Sequence, residues 1–161
     1  MNLAIRDRTQ PRIITLEYVS PELVERLRRN PDVLRSINWR EFERLLARLL
    51  EEFGYEIDLK RGTKDGGVDL FALSRTGHPL GPHKYLLQAK RWQGVVGVAP
   101  VRELKFLHDH HGMTKSCLAT TSCFTSGAWR LAQRFSHQLE LRDYEGIKEW
   151  ITHAWNPRVA L

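Results

Sequence analysis

Two short stretches, KDGGVD at residues 64–69 and LQAKR at residues 87–91, decide the fold that the sequence predicts. The Asp-Gly-Gly run in the first stretch is typical of a tight reversal, because glycine accepts positive backbone angles at little cost. Apolar residues predominate at 68–73 and again at 85–92, which indicates two strands, with a loop at 78–82 between them. Each predicted strand carries polar residues at one end of an otherwise apolar run.

Helical and extended patterns alternate over the rest of the chain. The clearest helix runs from Trp39 to Phe53, where apolar residues recur every three or four positions and Gly54 supplies a C-cap. Further helices are predicted between Ser20 and Asn30 and over 100–111, 125–138 and 143–155, and further strands over 55–59, 116–121 and 139–141. This order predicts the α/β class, with a mixed central sheet in an α/β/α sandwich.

Composition limits the chain to one domain and points to an anionic partner. The 161 residues carry a net charge of +6, with a pI near 9.6. Nucleic acid is the leading candidate, although charge alone equally fits a soluble basic surface. We expect no membrane partner, because no apolar run is long enough to cross a bilayer, and no secretory signal is recognisable. Two cysteines without a CxxC spacing favour a reducing cytoplasm.

The two quoted stretches place oxygen donors and a lysine on adjacent predicted strands. Gln88 and Lys90 are two positions apart, so both project from one face, and Ala89 between them offers its carbonyl as a further donor. Asp69 stands just after the turn, where its strand begins. Phosphodiester hydrolysis needs a divalent ion, an aimed water and a stabilised leaving oxygen. Because Mg²⁺ prefers oxygen ligands and keeps several waters, these residues predict a hydrolytic magnesium site.

Asp69 and Lys90 each have a simpler interpretation. Asp69 also fits a strand-edge aspartate, although Asp65 is the better turn residue. Lys90 also fits a lysine whose ammonium reaches solvent from a strand end. In the middle of an apolar run, however, burying an unpaired ammonium costs on the order of several kcal/mol. A lysine beside Asp69 that orients water and stabilises charge on phosphoryl oxygens is therefore the favoured interpretation.

Five motifs in this order and spacing resemble the Mrr-like restriction endonucleases, the QxK variant within the PD-(D/E)xK nuclease superfamily. They are WREFE at 39–43, GY at 54–55, KDGGVD at 64–69, QAKRW at 88–92 and ATTSCFT at 119–125. The resemblance spans 39–150, about two-thirds of the chain. It implies an N-terminal arm and short helix (1–36), a PD-(D/E)xK nuclease domain (37–156) and a C-terminal tail (157–161).

The resemblance implies a Mg²⁺-dependent DNA endonuclease, with Mn²⁺ as a substitute ion. Asp69 would be a metal ligand, Gln88 would stand where many relatives in the superfamily have Glu or Asp, and Lys90 would be the catalytic lysine. The amide leaves the site one negative charge short, which an acidic residue of the first helix can make up in such variants. Glu43 occupies that position, with a solvated helix glutamate as the open alternative. The expected metal ligands are Asp69, Gln88, the Ala89 carbonyl and Glu43.

Polar residues near the predicted site are candidates for contacts with DNA. Thr120, Thr121 and Ser122 follow the fourth predicted strand and can hydrogen-bond a backbone phosphate. A polar loop that caps the next helix is the alternative, and the two roles are compatible. Arg91 and Lys64 are the basic candidates beside the two motifs.

Three histidines, His108, His110 and His111, cluster in the predicted helix at 100–111. A zinc site would need a fourth ligand, and none is spaced convincingly. We therefore expect all three histidines at the surface.

Double-stranded DNA is the expected substrate, in restriction or defence or in DNA processing. A homodimer is expected, because cutting two strands needs two active sites. About 36 residues precede the nuclease segment, too few for the DNA-reading domain that relatives often carry. Specificity is therefore expected from loops or from a separate DNA-reading or ATPase partner, or else to be weak. A structure-specific, junction-type nuclease and a non-catalytic DNA-binding module that keeps the nuclease fold are the alternatives.

Overall fold

A mixed sheet forms the centre of the computed structural model, which describes residues 19–61, 68–74, 83–89 and 94–156, with the backbone alone for residues 59–61, 68 and 69. The described strands are β1 (Tyr55–Arg61), β2 (Val68–Ser74), β3 (Lys84–Ala89), β4 (Lys115–Ala119) and β5 (Leu139–Arg142). They lie side by side in chain order. β2 is antiparallel to β1 and to β3, whereas β4 is parallel to β3 and to β5. The predicted mixed sheet is confirmed.

Helices cover both faces of this sheet. Within the described ranges they are α1 (Pro21–Arg29), α2 (Trp39–Glu52), α3 (Val98–His111), α4 (Ser126–Gln133) and α5 (Tyr144–Trp155). Two separate hydrophobic clusters assign α1, α2 and α5 to one face and α3 and α4 to the other. The predicted α/β/α sandwich is therefore confirmed. None of the described helices has the length and apolarity that a membrane span requires.

Alternation along the strands divides the sheet residues between two cores. The first core, under α1, α2 and α5, takes Leu87 and Ala89 of β3. The second core, under α3 and α4, takes Leu86 of β3 and Leu118 of β4. Because successive strand residues face opposite sides, Gln88 faces the second layer, as Leu86 does. The candidate site around Gln88 therefore lies on the face of the sheet that α3 and α4 cover.

Capping residues determine where α2, a helix of the first core, begins and ends. Asn38 caps its start: the Asn38 side chain accepts from the Glu41 N–H at 3.0 Å, and the Glu41 carboxylate accepts from the Asn38 N–H at 2.8 Å. Gly54 ends the helix region with φ of +90°, which a residue with a side chain rarely adopts. Only Phe53 and Gly54 separate α2 from β1, so the helix runs back along that strand. Its first turn thus lies toward the end of the sheet where β1 and β3 finish.

A 3₁₀ helix at Pro31–Arg35 was absent from the predicted elements. Asn30 ends α1, as predicted, but its side chain also accepts from the Asp32 N–H at 3.1 Å and starts the next turn. The Tyr144 hydroxyl donates to Asp32 at 2.7 Å, and Arg35 Nε donates to the same hydroxyl at 3.0 Å. These bonds tie the chain before α2 to α5. The proposed boundary at residue 36 stays a prediction.

The helix α4 is shorter than the predicted segment at 125–138. After Gln133 the chain continues in tight turns, in which the Phe135 N–H donates to the Ala132 carbonyl at 2.9 Å and the Gln138 N–H to the Phe135 carbonyl at 2.8 Å. These turns pack Phe135 against the second core and deliver Leu139 to β5. Apolar spacing alone could not distinguish them from a continued helix.

His108 was predicted at the surface, and this prediction is wrong. Its side chain is 4% exposed, and Nδ1 lies 2.9 Å from the Oγ of the buried Ser116. Val101 and Leu104 precede it at spacings of seven and four, so the three residues share the helix face that packs on the sheet. His110 and His111 are exposed, as expected.

Burial of His108 predicts a loss of stability at mildly acid pH. Burial lowers the pKa of His108 from its ordinary value near 6.5, because the charged imidazolium is disfavoured in the core. As pH falls below about 6.5, the unfolded chain therefore takes up a proton that the folded protein does not. We expect the free energy of unfolding to fall between pH 7.5 and pH 5.5, and to fall less in His108→Gln. Urea unfolding at both pH values measures this difference.

The exposed His137 provides the matched control for loss of one imidazole. His137→Gln is measured at the same two pH values, so that removal of the buried His108 imidazole is compared with removal of an exposed one. An unfolding free energy that falls equally in wild type and in His108→Gln would contradict the assignment to His108.

Candidate active site

The pairing of β2 with β3 brings two of the predicted site residues together. Asp69 is directly opposite Gln88, and Val68 is directly opposite Ala89. This register places Asp69 at the end of the sheet where β3 finishes, and the predicted turn at 65–67 lies outside the described residues. Only the backbone of Asp69 is described. The Lys64, Lys90 and Arg91 predictions lie outside the described residues.

Gln88 is a buried amide in an apolar layer. It is 3% exposed, it follows Leu86 on the face toward α3 and α4, and it is paired across the sheet with Leu118. A leucine would serve core packing better, because a buried amide must recover the hydrogen bonds that it loses to water. A role for this amide in the candidate site stays a prediction.

Ala89 ends β3 with its side chain in the opposite core to Gln88. It is fully buried in the first core. The predicted donor is the Ala89 carbonyl, which belongs to the last described residue before Lys90. The strand described here ends at residue 89, and the remainder of the predicted strand at 90–92 lies outside the described residues.

Glu43 lies on the other layer of the sandwich from Gln88. It is partly exposed on α2, whose neighbours Phe42 and Leu46 belong to the first core. Its position near the start of α2 puts it toward the same end of the sheet as Asp69 and Gln88. The structure thus brings Glu43 to the same end of the sheet as Asp69 and Gln88 but to the other face, and its role as a ligand stays a prediction.

The loop between β4 and α4 borders the candidate site. Ala119, the last residue of β4, is paired with Ala89, so residues 120–125 leave the sheet beside the end of β3. Thr121 is exposed and Ser122 is partly exposed, whereas Thr120 is only 1% exposed. Thr125, and not a residue of 120–122, caps α4 by accepting from the Ala128 N–H at 3.1 Å. The alternative role of residues 120–122 as a helix cap is thereby removed.

A short bridge joins the chain after β3 to the chain after β4. The Val96 N–H donates to the Cys123 carbonyl at 2.8 Å, and the Thr125 N–H donates to the Val96 carbonyl at 2.9 Å. Both α3 and α4 begin two residues after this bridge. Helix N-termini carry partial positive charge and unpaired N–H groups, so this edge of the sheet favours an anion.

The donor set at this edge fits a hard divalent cation. A carboxylate, an amide oxygen and a backbone carbonyl are the ligand types that Mg²⁺ takes, and Gln88 is held directly opposite Asp69. The described side chains contain no group of three His, Cys, Asp or Glu residues arranged for a metal. The side chain of Asp69 is not among the described ones. The Gln88 amide and the Ala89 carbonyl are other types of ligand, which a group of these four residue types does not include.

A cleft of about 340 Å³ opens at the opposite end of the sheet. Phe53, Tyr55, Tyr85 and Trp150 form its aromatic walls. Tyr85 is three residues before Gln88 and faces the first core, so this cleft is separate from the candidate site.

Comparisons with known proteins agree with this fold. The Mrr_cat family model, described as a restriction endonuclease, matches residues 34–151. The chain is 29% identical over 137 residues to the uncharacterized protein y4cE of Sinorhizobium fredii (strain NBRC 101917 / NGR234), covering 83% of this chain and 34% of that protein. It is 36% identical over 98 residues to the type IV methyl-directed restriction enzyme EcoKMrr of Escherichia coli (strain K12), covering 57% of this chain and 31% of that enzyme.

A solved structure extends the likeness to the fold. The DNA modification-dependent restriction endonuclease AspBHI superposes with a TM-score of 0.54 at 22% identity, covering 81% of this chain and 33% of that one. The family match defines a restriction-endonuclease-like nuclease domain, and the mixed sheet with its two helical layers agrees with it. The chain belongs to the Mrr_cat restriction endonuclease family, whose model covers well over half of it. It spans about a third of the length of both curated relatives.

Proposed function

We propose that this chain is the catalytic domain of a Mg²⁺-dependent endonuclease that hydrolyses phosphodiester bonds in double-stranded DNA. The observation that carries the proposal is the direct pairing of Asp69 with Gln88 at one end of the sheet in a member of this family. Directly opposite residues of an antiparallel pair have Cβ atoms about 4.5–5.5 Å apart. A carboxylate and an amide at such positions can serve one cation.

The proposed metal ligands are Asp69, Gln88, the Ala89 carbonyl and Glu43, and Mn²⁺ is the proposed substitute ion. When bound, Mg²⁺ neutralises phosphate charge and makes a bound water more acidic. One or two carboxylates suffice for an ion that keeps several of its waters. Glu43 would approach from the other layer across the end of the sheet and restore the charge that the amide of Gln88 lacks.

The remaining roles fall to groups that touch water or phosphate. The Lys90 ammonium holds the attacking water and stabilises charge on the phosphoryl oxygens, as three N–H donors on a flexible stem allow. The amide of Gln88 can accept through its oxygen and donate through its nitrogen, so it orients neighbouring groups without adding charge. These roles require Lys90 and Gln88 to act at one phosphate.

The proposed DNA contacts lie around the same edge of the sheet. Thr121 and Ser122 offer hydroxyl donors, Arg91 and Lys64 offer cations, and the starts of α3 and α4 favour phosphate. The net charge of +6 supports an anionic partner. Hydroxyl and backbone contacts of this kind fix the position of DNA without reading its sequence.

We further propose a role in restriction or defence against foreign or modified DNA. Its support is the likeness to a methyl-directed restriction enzyme. Cutting both strands calls for two active sites, so the proposed working form is a homodimer. A separate DNA-reading or ATPase partner is the proposed source of further specificity, and the cytoplasm is the proposed location.

Plasmid cleavage tests the proposal. Purified protein is incubated with supercoiled plasmid, methylated and unmethylated, in Mg²⁺, in Mn²⁺ or in a chelator. We expect nicked and linear products with either ion and none with the chelator. Cleavage that persists in the chelator, or uncut plasmid under every condition, would contradict it. A branched junction in the same series tests the structure-specific alternative, and binding without any cutting would favour the non-catalytic module.

A further inference from the structure

Thr120 differs from Thr121 and Ser122, the two hydroxyl residues that follow it, because its hydroxyl faces inward. The side chain is 1% exposed, and its Oγ1 accepts from the Ser122 N–H at 3.1 Å. The Thr120 N–H donates to the Arg142 carbonyl at 2.9 Å, which ties the loop to β5. A threonine hydroxyl that accepts from the N–H two residues later fixes the shape of a short turn.

The same turn is held from its other side. The Ser122 carbonyl accepts from the Tyr144 N–H at 3.0 Å, at the start of α5. The next residue, Cys123, accepts from the Val96 N–H across the bridge described above. Residues 120–123 are therefore fixed at three points, by β5, by α5 and by the chain that follows β3.

Two further hydroxyls, those of Thr121 and Ser122, lie on this fixed turn. Thr121 is exposed and Ser122 is partly exposed, and in the described part of the chain neither hydroxyl has a hydrogen-bond partner. Thr125 already caps α4. Both hydroxyls lie on the turn that leaves the sheet next to Ala89, at the edge where α3 and α4 begin. Hydroxyl donors at an edge that favours anions match the oxygens of a backbone phosphate.

We infer that Thr120 is a positioning residue for DNA, whose buried hydroxyl holds the turn in the shape that presents Thr121 and Ser122 to one backbone phosphate. The inference rests on the proposed function, since it takes DNA as the ligand. Thr120 itself does not touch DNA in this account. It acts through the Ser122 N–H, so its effect on DNA must depend on Thr121 and Ser122 being intact.

A double-mutant cycle tests this dependence. Binding of a labelled DNA duplex is measured in a chelator, by fluorescence anisotropy at fixed salt, because salt strongly changes such affinities. Thr120→Val keeps the shape of the side chain but removes the hydroxyl, and we expect it to raise Kd by about 5- to 10-fold, the effect of losing roughly one hydrogen bond. The pair Thr121→Ala with Ser122→Ala should raise Kd by a similar factor. Adding Thr120→Val to that pair should raise it no further.

Rescue and stability separate positioning from a structural defect. Thr120→Ser keeps the hydroxyl and with it the hydrogen bond to the Ser122 N–H, so its Kd should stay within about twofold of the wild-type value. Thr120→Val is expected to lower thermal stability equally in both backgrounds, because the Ser122 N–H loses its acceptor in each. In cleavage assays its effect should fall on KM more than on kcat. Thr120→Ala replaces Thr120→Val in the cycle if the valine variant fails to fold.

The outcomes distinguish this inference from the proposed function. The inference would be overturned if the triple variant raised Kd by the product of the two separate fold-increases, that of Thr120→Val and that of the Thr121→Ala, Ser122→Ala pair. A Kd for Thr120→Ser as high as that for Thr120→Val would also overturn it. So would a wild-type protein that binds no duplex. A wild type that binds duplex but never cuts would overturn the proposed function alone, and the cycle would still decide the role of Thr120.

Discussion

Replacement of Lys90 by methionine is expected to lower the rate of DNA cleavage by a factor of about 10³ or more, with the protein still folded. In the proposed site the Lys90 ammonium holds the attacking water and stabilises charge on the phosphoryl oxygens. Methionine has a similar length and is apolar, so it removes the charge and the N–H donors while filling the space. Single-turnover cleavage of an end-labelled duplex in Mg²⁺ measures the loss, and circular dichroism checks the fold.

Lys84 offers the matched control for this exchange. It begins β3, six residues before Lys90, and is exposed. Lys84→Met removes one positive charge from the same stretch of chain, and cleavage should stay within about threefold of wild type, because a single distant surface charge is largely screened. Equal cleavage rates for Lys90→Met and Lys84→Met would remove Lys90 from the site.

The second large effect is expected on stability. Leu45 is fully buried in the first core, between α2 and the sheet. Leu45→Ala should lower the free energy of unfolding by about 2–5 kcal/mol, because it removes apolar contacts and leaves a cavity that the packed core closes only in part. Urea unfolding followed by tryptophan fluorescence measures the change.

Leu73→Ala is the control for the same chemical change. Leu73 lies in β2 and is 41% exposed. Its truncation therefore removes less buried apolar surface than that of Leu45 and leaves no enclosed cavity. We expect a loss of less than about 1 kcal/mol. Equal losses for Leu45→Ala and Leu73→Ala would contradict the assignment of the first core.

Most of the fold could be predicted from the periodicity of apolar residues and from helix-capping residues. The apolar repeat from Trp39 to Phe53 with Gly54 after it predicted α2 nearly to the residue, because an amphipathic helix and its cap are written in local spacing. The same held for the start of α1 at Ser20, where the hydroxyl accepts from the Leu23 N–H at 3.1 Å. Local signals of this kind need no knowledge of the tertiary partners.

Tertiary packing decided the features that the sequence did not predict. His108 was expected at the surface because no zinc site was convincing, but the helix face that it shares with Leu104 buries it against Ser116. The helix α4 stops early because Phe135 turns into the second core, although its spacing fits a helix. In both cases packing of a side chain into the second core decides the outcome.

The candidate site was predictable in part. Asp69 and Gln88 were expected on adjacent strands, and the register pairs them directly. The inward hydroxyl of Thr120 was not predicted, because a run of three hydroxyl residues gives no sign of which one faces the protein. Nor could helix periodicity tell that α2 would carry Glu43 on the opposite layer from Gln88.

The most direct test of the central claim compares Asp69→Asn with Asp58→Asn in the plasmid assay with Mg²⁺. Both variants exchange a carboxylate for an amide, and Asp58 is an exposed residue of β1. If Asp69 and Gln88 hold the ion at which DNA is cut, Asp69→Asn should leave the plasmid supercoiled while Asp58→Asn cuts like wild type. Equal cleavage by the two variants would contradict the account.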